Sequence, residues 1–167
     1  NYLLDILLSS GKEFGLKLVG ARAQNWLRQE KSYKAFGSDL GRDAGPFESN
    51  LSRFVDINKN FLGKDALLKR KTDVSCVTLL IDGPKDIDPW GREALYNETE
   101  EVMLGRLTSA GYSVHFKRSI GIGYVKSSFS EVGTKLRIKI DDAFWNAEIV
   151  RDSPYDPQNE RIIDRAQ

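Results

Sequence analysis

The sequence predicts an α+β fold in two units, a helix-and-sheet portion over residues 1–72 followed by a small antiparallel β-barrel over residues 73–167. Residues up to 70 carry apolar side chains at helical spacing. From residue 74 onward the chain turns to short β-type runs, and turn residues separate those runs. A barrel, or a sandwich of the same strands, is the economical way to remove the exposed edges of such a sheet.

The elements follow in order. Leu3, Leu4, Leu7 and Leu8 recur at helical spacing, and Ser9-Ser10-Gly11 supplies a stop. After an extended stretch at 15–19, residues 21–29 place Ala23, Trp26 and Leu27 on one helical face, the face expected to pack on a sheet. Gly37, Gly41 and Gly45-Pro46 punctuate a loop before an expected strand at 54–57. Residues 63–70 read as a helix with cations at its C-terminal end, where the macrodipole favours them. The β-type runs are 74–81, 93–96, 102–108, 119–125, 135–140 and 144–151, with Asp82-Gly83-Pro84, Asn97-Glu98 and Asp141-Asp142 between them.

Composition narrows the function classes. Twenty-five Lys and Arg residues against 24 Asp and Glu leave a formal charge of +1, so no electrostatic surplus points to nucleic acid or to an anionic membrane. The apolar run at 2–8 is interrupted by Asp5, is too short to span a bilayer and lacks a basic leader. His115 is the only histidine and Cys76 the only thiol, so no metal site is expected. Cys76, within VSCVTLLI, is expected to be a buried spectator. Gly121 and Gly123 do not make a dinucleotide fingerprint, because their segment reads as a strand; close backbone packing is the better account. Trp26, Trp90 and Trp145 are expected to pack. The chain opens at Asn1 inside a helical pattern with no initiating Met, as expected of a piece of a longer polypeptide.

One stretch carries the chemistry. Between Gly20 and Gly63, Glu30 sits between Arg28 and Lys31 and is followed by Tyr33 and Phe36. A carboxylate has two oxygens that accept a pair of parallel N–H donors from a flat heterocycle, and aromatic neighbours would wall such a ligand. The same residues also describe the solvated end of a helix. Aromatics such as Tyr33 and Phe36 just after a helix more often belong to the core than to a pocket wall.

The spacing of these residues resembles the glycine cleavage T-protein (aminomethyltransferase) family, most nearly the C-terminal region of dimethylglycine and sarcosine dehydrogenases. The matching residues are Gly20, Arg22, Ala23, Leu27, Arg28, Glu30, Lys31, Tyr33, Gly37, Asp39, Pro46, Glu48 and the run Phe61-Leu62-Gly63-Lys64. The likeness continues through Asp88-Pro89, Gly105, Thr108-Ser109, Gly111-Tyr112-Ser113, Glu131-Val132-Gly133 and Ser153-Pro154-Tyr155-Asp156-Pro157.

The resemblance implies the C-terminal part of a folate-binding domain (1–72) followed by an aminomethyltransferase barrel (73–167), in an enzyme whose tetrahydrofolate captures a one-carbon unit as 5,10-methylenetetrahydrofolate. It implies that Glu30 meets the pterin ring. A family position usually held by Arg falls on Lys59, which supplies charge without the planar fork; a solvated lysine in the turn Asn58-Lys59-Asn60 is the other reading. Tyr112 is a further candidate from the barrel. A third family contact falls on Glu160, a departure that leaves the role unassigned. The family's catalytic Asp belongs upstream, so no residue here is assigned a catalytic role, and the isolated chain is expected to be inactive. FAD is implied for the upstream domains of the same polypeptide and not for this segment; a small methylated amine is the implied substrate. A true T-protein, and a folate-binding or structural module without turnover, are the alternatives. With neither a spanning run nor a basic leader at 2–8, a cytoplasmic or, in a eukaryote, mitochondrial matrix location is expected.

Overall fold

The computed structural model describes residues 2–83 and 87–163, the side chain of Ile162 excepted. Pro84, expected in a turn, lies outside them. The N-terminal region is helical: α1 (Tyr2–Gly11) runs into a 3₁₀ turn, and α2 (Ala21–Glu30) and α3 (Lys64–Lys69) follow with long loops between them. Six strands then close into a barrel: β1 (Val74–Ile81), β2 (Ala94–Tyr96), β3 (Met103–Ser113), β4 (Arg118–Lys126), β5 (Lys135–Ile140) and β6 (Ala143–Val150). The final turn of helix is α4 (Glu160–Ile163).

The strand order round the barrel is β1-β4-β3-β2-β5-β6, and every pairing is antiparallel. The seam is made by Thr78 to Ile81 of β1 against Ala147 to Val150 of β6. Alternation puts Val77, Leu79 and Ile81 into the interior with Leu95, Leu107, Val125, Leu136, Ile138 and Ile149. The interior positions of β4 include two glycines. A Cβ at Gly123 would lie 2.6 Å from the Arg106 carbonyl oxygen, and one at Gly121 would lie 3.0 Å from Leu107, so close packing does account for this pair. The outward residues Ile120 and Ile122 of that strand are also fully buried. They lie on the side of the sheet where α2 packs on β3 and β4.

Three expectations are corrected. Residues 54–57 form no strand; a 3₁₀ turn at Ser52–Phe54 follows Asn50, which sits at φ 56°, and Asp56 closes another turn through the Asn58 N–H at 3.0 Å. These local bonds take the backbone groups a ladder needs. Helix α2 does not bury Ala23 and Leu27, which are exposed; it buries Gln29 and Glu30 and half-buries Trp26 and Arg28. Its docking face is polar because the barrel offers the hydroxyls of Ser109 and Ser113 there. Trp90 does not pack but stands 79% exposed. Trp26 does pack, over Gly111, where a Cβ would collide with its ring.

Candidate functional site

The residues singled out around Glu30 meet where the end of α2, strand β3 and the segment after β6 converge. Glu30 is 5% exposed. Its Oε1 accepts a hydrogen bond from the Ser113 hydroxyl at the end of β3, and its carbonyl accepts one from the Tyr155 N–H at 3.1 Å. Oε2 accepts no hydrogen bond among the described residues, although it is not among their fully buried unpaired atoms. Among the described residues the carboxylate is therefore held through one oxygen only.

Its neighbours in the motif are fasteners. Arg28 donates to Asp39 Oδ2 at 2.6 Å, to Ser109 Oγ at 2.7 Å, to the Tyr33 carbonyl at 2.9 Å and to Asn25 Oδ1 at 2.8 Å. Asp39 also accepts from the Ala35 N–H at 2.9 Å and from Thr108 and Ser109, each at 2.6 Å. Two successive strand residues normally face opposite ways. Here the register of β3 against β4 shifts between Leu107 and Ser109, and this bulge brings both hydroxyls to one carboxylate.

Lys31 reaches the other way. Its Nζ donates to the Asp156 carbonyl at 2.5 Å and to Asn159 Oδ1 at 2.6 Å, while its carbonyl accepts from Ser153 Oγ at 2.8 Å. Ser32, Thr78, Asp152, Lys34 and Asn50 continue the network through bonds of 2.8 to 3.1 Å. The tail motif Ser153-Pro154-Tyr155-Asp156-Pro157 thus serves to clamp the end of α2 onto the barrel.

The side chains of the remaining candidates make no hydrogen bond within this cluster among the described residues. Lys59 is 77% exposed at its side chain, with Asp56 Oδ2 at 3.9 Å as its ion-pair partner. Tyr33 and Phe36 are exposed, Phe36 to 87%, so neither belongs to a core in the described structure. Tyr112 is half-buried on the strand face opposite Ser113. Glu160 is exposed, and its N–H donates to Asp156 Oδ1 at 2.9 Å. A cleft of ≈ 520 Å³ opens beside the cluster, between Lys31 and Lys34 on one wall and Arg53 and Phe54 on the other; neither Glu30 nor Lys59 lines it.

Two further groups are chemically silent. Burial pushes the Cys76 thiol up to about 12, so it stays protonated and is no nucleophile near neutral pH. Burial likewise raises the Tyr124 hydroxyl to about 12, although it shares a hydrogen bond with Ser49, 2.8 Å away. Ser113 and the Asp39 node carry no assigned role in the sequence reading. Their partners lie 83 and 70 residues away along the chain, and no local pattern reports such a distance.

Comparison with known proteins agrees with this architecture. The model of the glycine cleavage T-protein C-terminal barrel domain matches residues 75–156, and that of the GCVT N-terminal domain matches residues 1–59. Mitochondrial dimethylglycine dehydrogenase of Mus musculus is 34% identical over 157 residues, 90% of this chain and 18% of that protein. An aminomethyltransferase of Caldanaerobacter subterraneus subsp. tengcongensis is 31% identical over 149 residues, 89% of this chain and 40% of that protein. The chain thus spans well under half the length of these relatives. Among solved structures, the glycine cleavage system aminomethyltransferase T from Bartonella henselae superposes with a TM-score of 0.78 at 21% identity, over 93% of this chain and 44% of the other. With a closed barrel preceded by helices that hold the family's motif residues, and with two family models matching consecutive parts of it, the chain belongs to the glycine cleavage T-protein (aminomethyltransferase) family.

Proposed function

We propose that this chain is the C-terminal folate-binding and barrel portion of a dimethylglycine or sarcosine dehydrogenase-like enzyme. The division is a folate-binding part at 1–72 and the barrel at 73–167. Upstream domains of the same polypeptide oxidise a small methylated amine with FAD, and tetrahydrofolate takes up the carbon as 5,10-methylenetetrahydrofolate. No residue of this segment holds the flavin. The chain supplies binding and orientation, which bring the folate nitrogens to the electrophile, rather than a catalytic acid or base.

The observation that carries this reading is the state of Glu30. Its carboxylate is fixed by Ser113 through Oε1 and leaves Oε2 without a donor among the described residues, while Oε1 keeps a second lone pair. That acceptor set fits the paired N–H edge of a pterin. Lys59, on an exposed turn, suits a point contact with an anionic part of the ligand. The 34% identity to mitochondrial dimethylglycine dehydrogenase supports the amine dehydrogenase assignment and, for a eukaryotic parent, a matrix location; a bacterial one would be cytoplasmic.

A true T-protein is the second reading, favoured by the 31% identity to an aminomethyltransferase. A flavin-binding domain upstream in the parent gene separates the two. The test of the site is a tetrahydrofolate titration of the full-length parent. Glu30→Ala is expected to weaken binding by about tenfold or more, the loss of roughly 1.5–3 kcal/mol for hydrogen bonds to a charged group. Equal affinities would remove Glu30 from the site. The isolated chain is expected not to bind folate in the micromolar range, because half a pocket would have to supply about 8 kcal/mol.

A further inference from the structure

We propose that Ser113 is the positioning residue that sets Glu30 for its ligand, an inference that rests on the folate reading of Glu30. Ser113 is fully buried at the end of β3. Its Oγ accepts from the Phe116 N–H at 3.0 Å and donates to Glu30 Oε1. A serine hydroxyl has one proton. With the Phe116 N–H committed to the oxygen, that proton is directed at Glu30, and the bond has a fixed polarity: hydroxyl gives, carboxylate takes.

The frame around this bond is tied at several points. Phe116 belongs to the turn that joins β3 to β4. The His115 ring packs edge-on against Phe116, with centroids 4.9 Å apart, and against Tyr155, at 4.3 Å. The Tyr155 N–H in turn holds the Glu30 carbonyl at 3.1 Å. One turn of the barrel and one segment of the tail, joined by aromatic contact, therefore grip the side chain and the main chain of Glu30. A free glutamate samples many rotamers, and a ligand that needs one of them must freeze the rest. Ser113 removes that requirement before the ligand arrives, and it selects Oε2 as the open oxygen. Ser113 itself touches no ligand in this scheme; it acts through Glu30.

The test is a double-mutant cycle in the full-length parent, read by tetrahydrofolate titration. Ser113→Ala is expected to raise the Kd about tenfold, the lower end of what loss of an orienting partner costs at metal sites. Ser113→Thr, which keeps the donor, should bind within about threefold of the wild type, a difference below 1 kcal/mol. In a Glu30→Ala background the same Ser113→Ala change should have almost no effect, since coupled residues are not additive. Should Ser113→Ala fail to fold, Ser113→Cys keeps the volume with only a weak donor and is expected to show the same loss. Wild-type affinity of Ser113→Ala or, where that variant fails to fold, of Ser113→Cys, or a penalty that persists in full beside Glu30→Ala, would overturn the positioning role while leaving Glu30 in the site. Wild-type affinity of Glu30→Ala alone would instead remove the folate reading on which the role rests.

Discussion

Asp39 accepts hydrogen bonds from Arg28, Ala35, Thr108 and Ser109 and is 2% exposed, which makes it a joint rather than a candidate acid. Breaking one side of such a pair strands a buried charge. Asp39→Ala is expected to destabilise the fold by about 3 kcal/mol or more, because Arg28 then loses its counter-ion while most of its side chain stays covered. A urea titration with an unchanged slope and a lowered midpoint would register that loss; an unchanged midpoint would show that the ion pair is not a structural joint. At this scale the sequence is legible in part. Arg28, Glu30, Lys31 and Asp39 are visible as members of one motif, yet their division into one open carboxylate and three fasteners depends on partners 81, 83, 125 and 70 residues away.

Among the elements, periodicity succeeds where a strand has one dry side and fails where burial is polar. All six strands are legible to within a few residues except β3, which extends to Ser113, because its bulge at Thr108 and its glycines break the alternation that marks a strand. Helix α2 is legible, but its orientation is not. Apolar counting favours Ala23 and Leu27, whereas the docked face is chosen by Asp39, Ser109 and Ser113, none of which lies in the helix. Gly105 shows the tolerance of the β3–β4 pairing. A Cβ there would collide with the Tyr124 carbonyl oxygen, with backbone rather than a flexible side chain in the way. Gly105→Ala is expected to cost about 3 kcal/mol, at the upper end for overpacking, since the two strands must separate to admit the methyl. Thermal unfolding of the variant checks this; a melting temperature matching that of the parent would refute the close approach.

For the molecule as a whole, Glu48 ties the loop after α2 to the barrel. Its Oε1 accepts from Arg70 at 2.9 Å and from Thr72 at 2.7 Å, and its carbonyl accepts from the Cys76 N–H of β1 at 2.7 Å. Burial alone would raise its carboxyl, but the hydrogen bond from Thr72, a backbone hydrogen bond and the Arg70 guanidinium outweigh it, and the carboxyl is held below its ordinary value of 4.5. A depressed folded value means that the stabilisation is present above the unfolded value and disappears as the pH falls through the folded one. Glu48→Gln should therefore be less stable than the parent at neutral pH, and the gap should close on acidification below 4.5. Unfolding midpoints of both proteins between neutral and acid pH measure it; a gap independent of pH would rule out the charged tie.

The seam between β1 and β6 has a consequence for how this molecule is made. The strand that opens the barrel is hydrogen-bonded to the one that ends it, so Leu79 meets Ile149 only after everything between them has been synthesised. Pairings this distant along the chain are slow to form, on the order of milliseconds to seconds for β-rich domains. On the ribosome the barrel must wait open until Val150 has emerged, and the segment that clamps Lys31 and Ser32 follows at once. Closure of the sheet and fastening of α2 are thus consecutive events, and Glu30 receives the second of its holds, Tyr155, only after the chain has been made past β6.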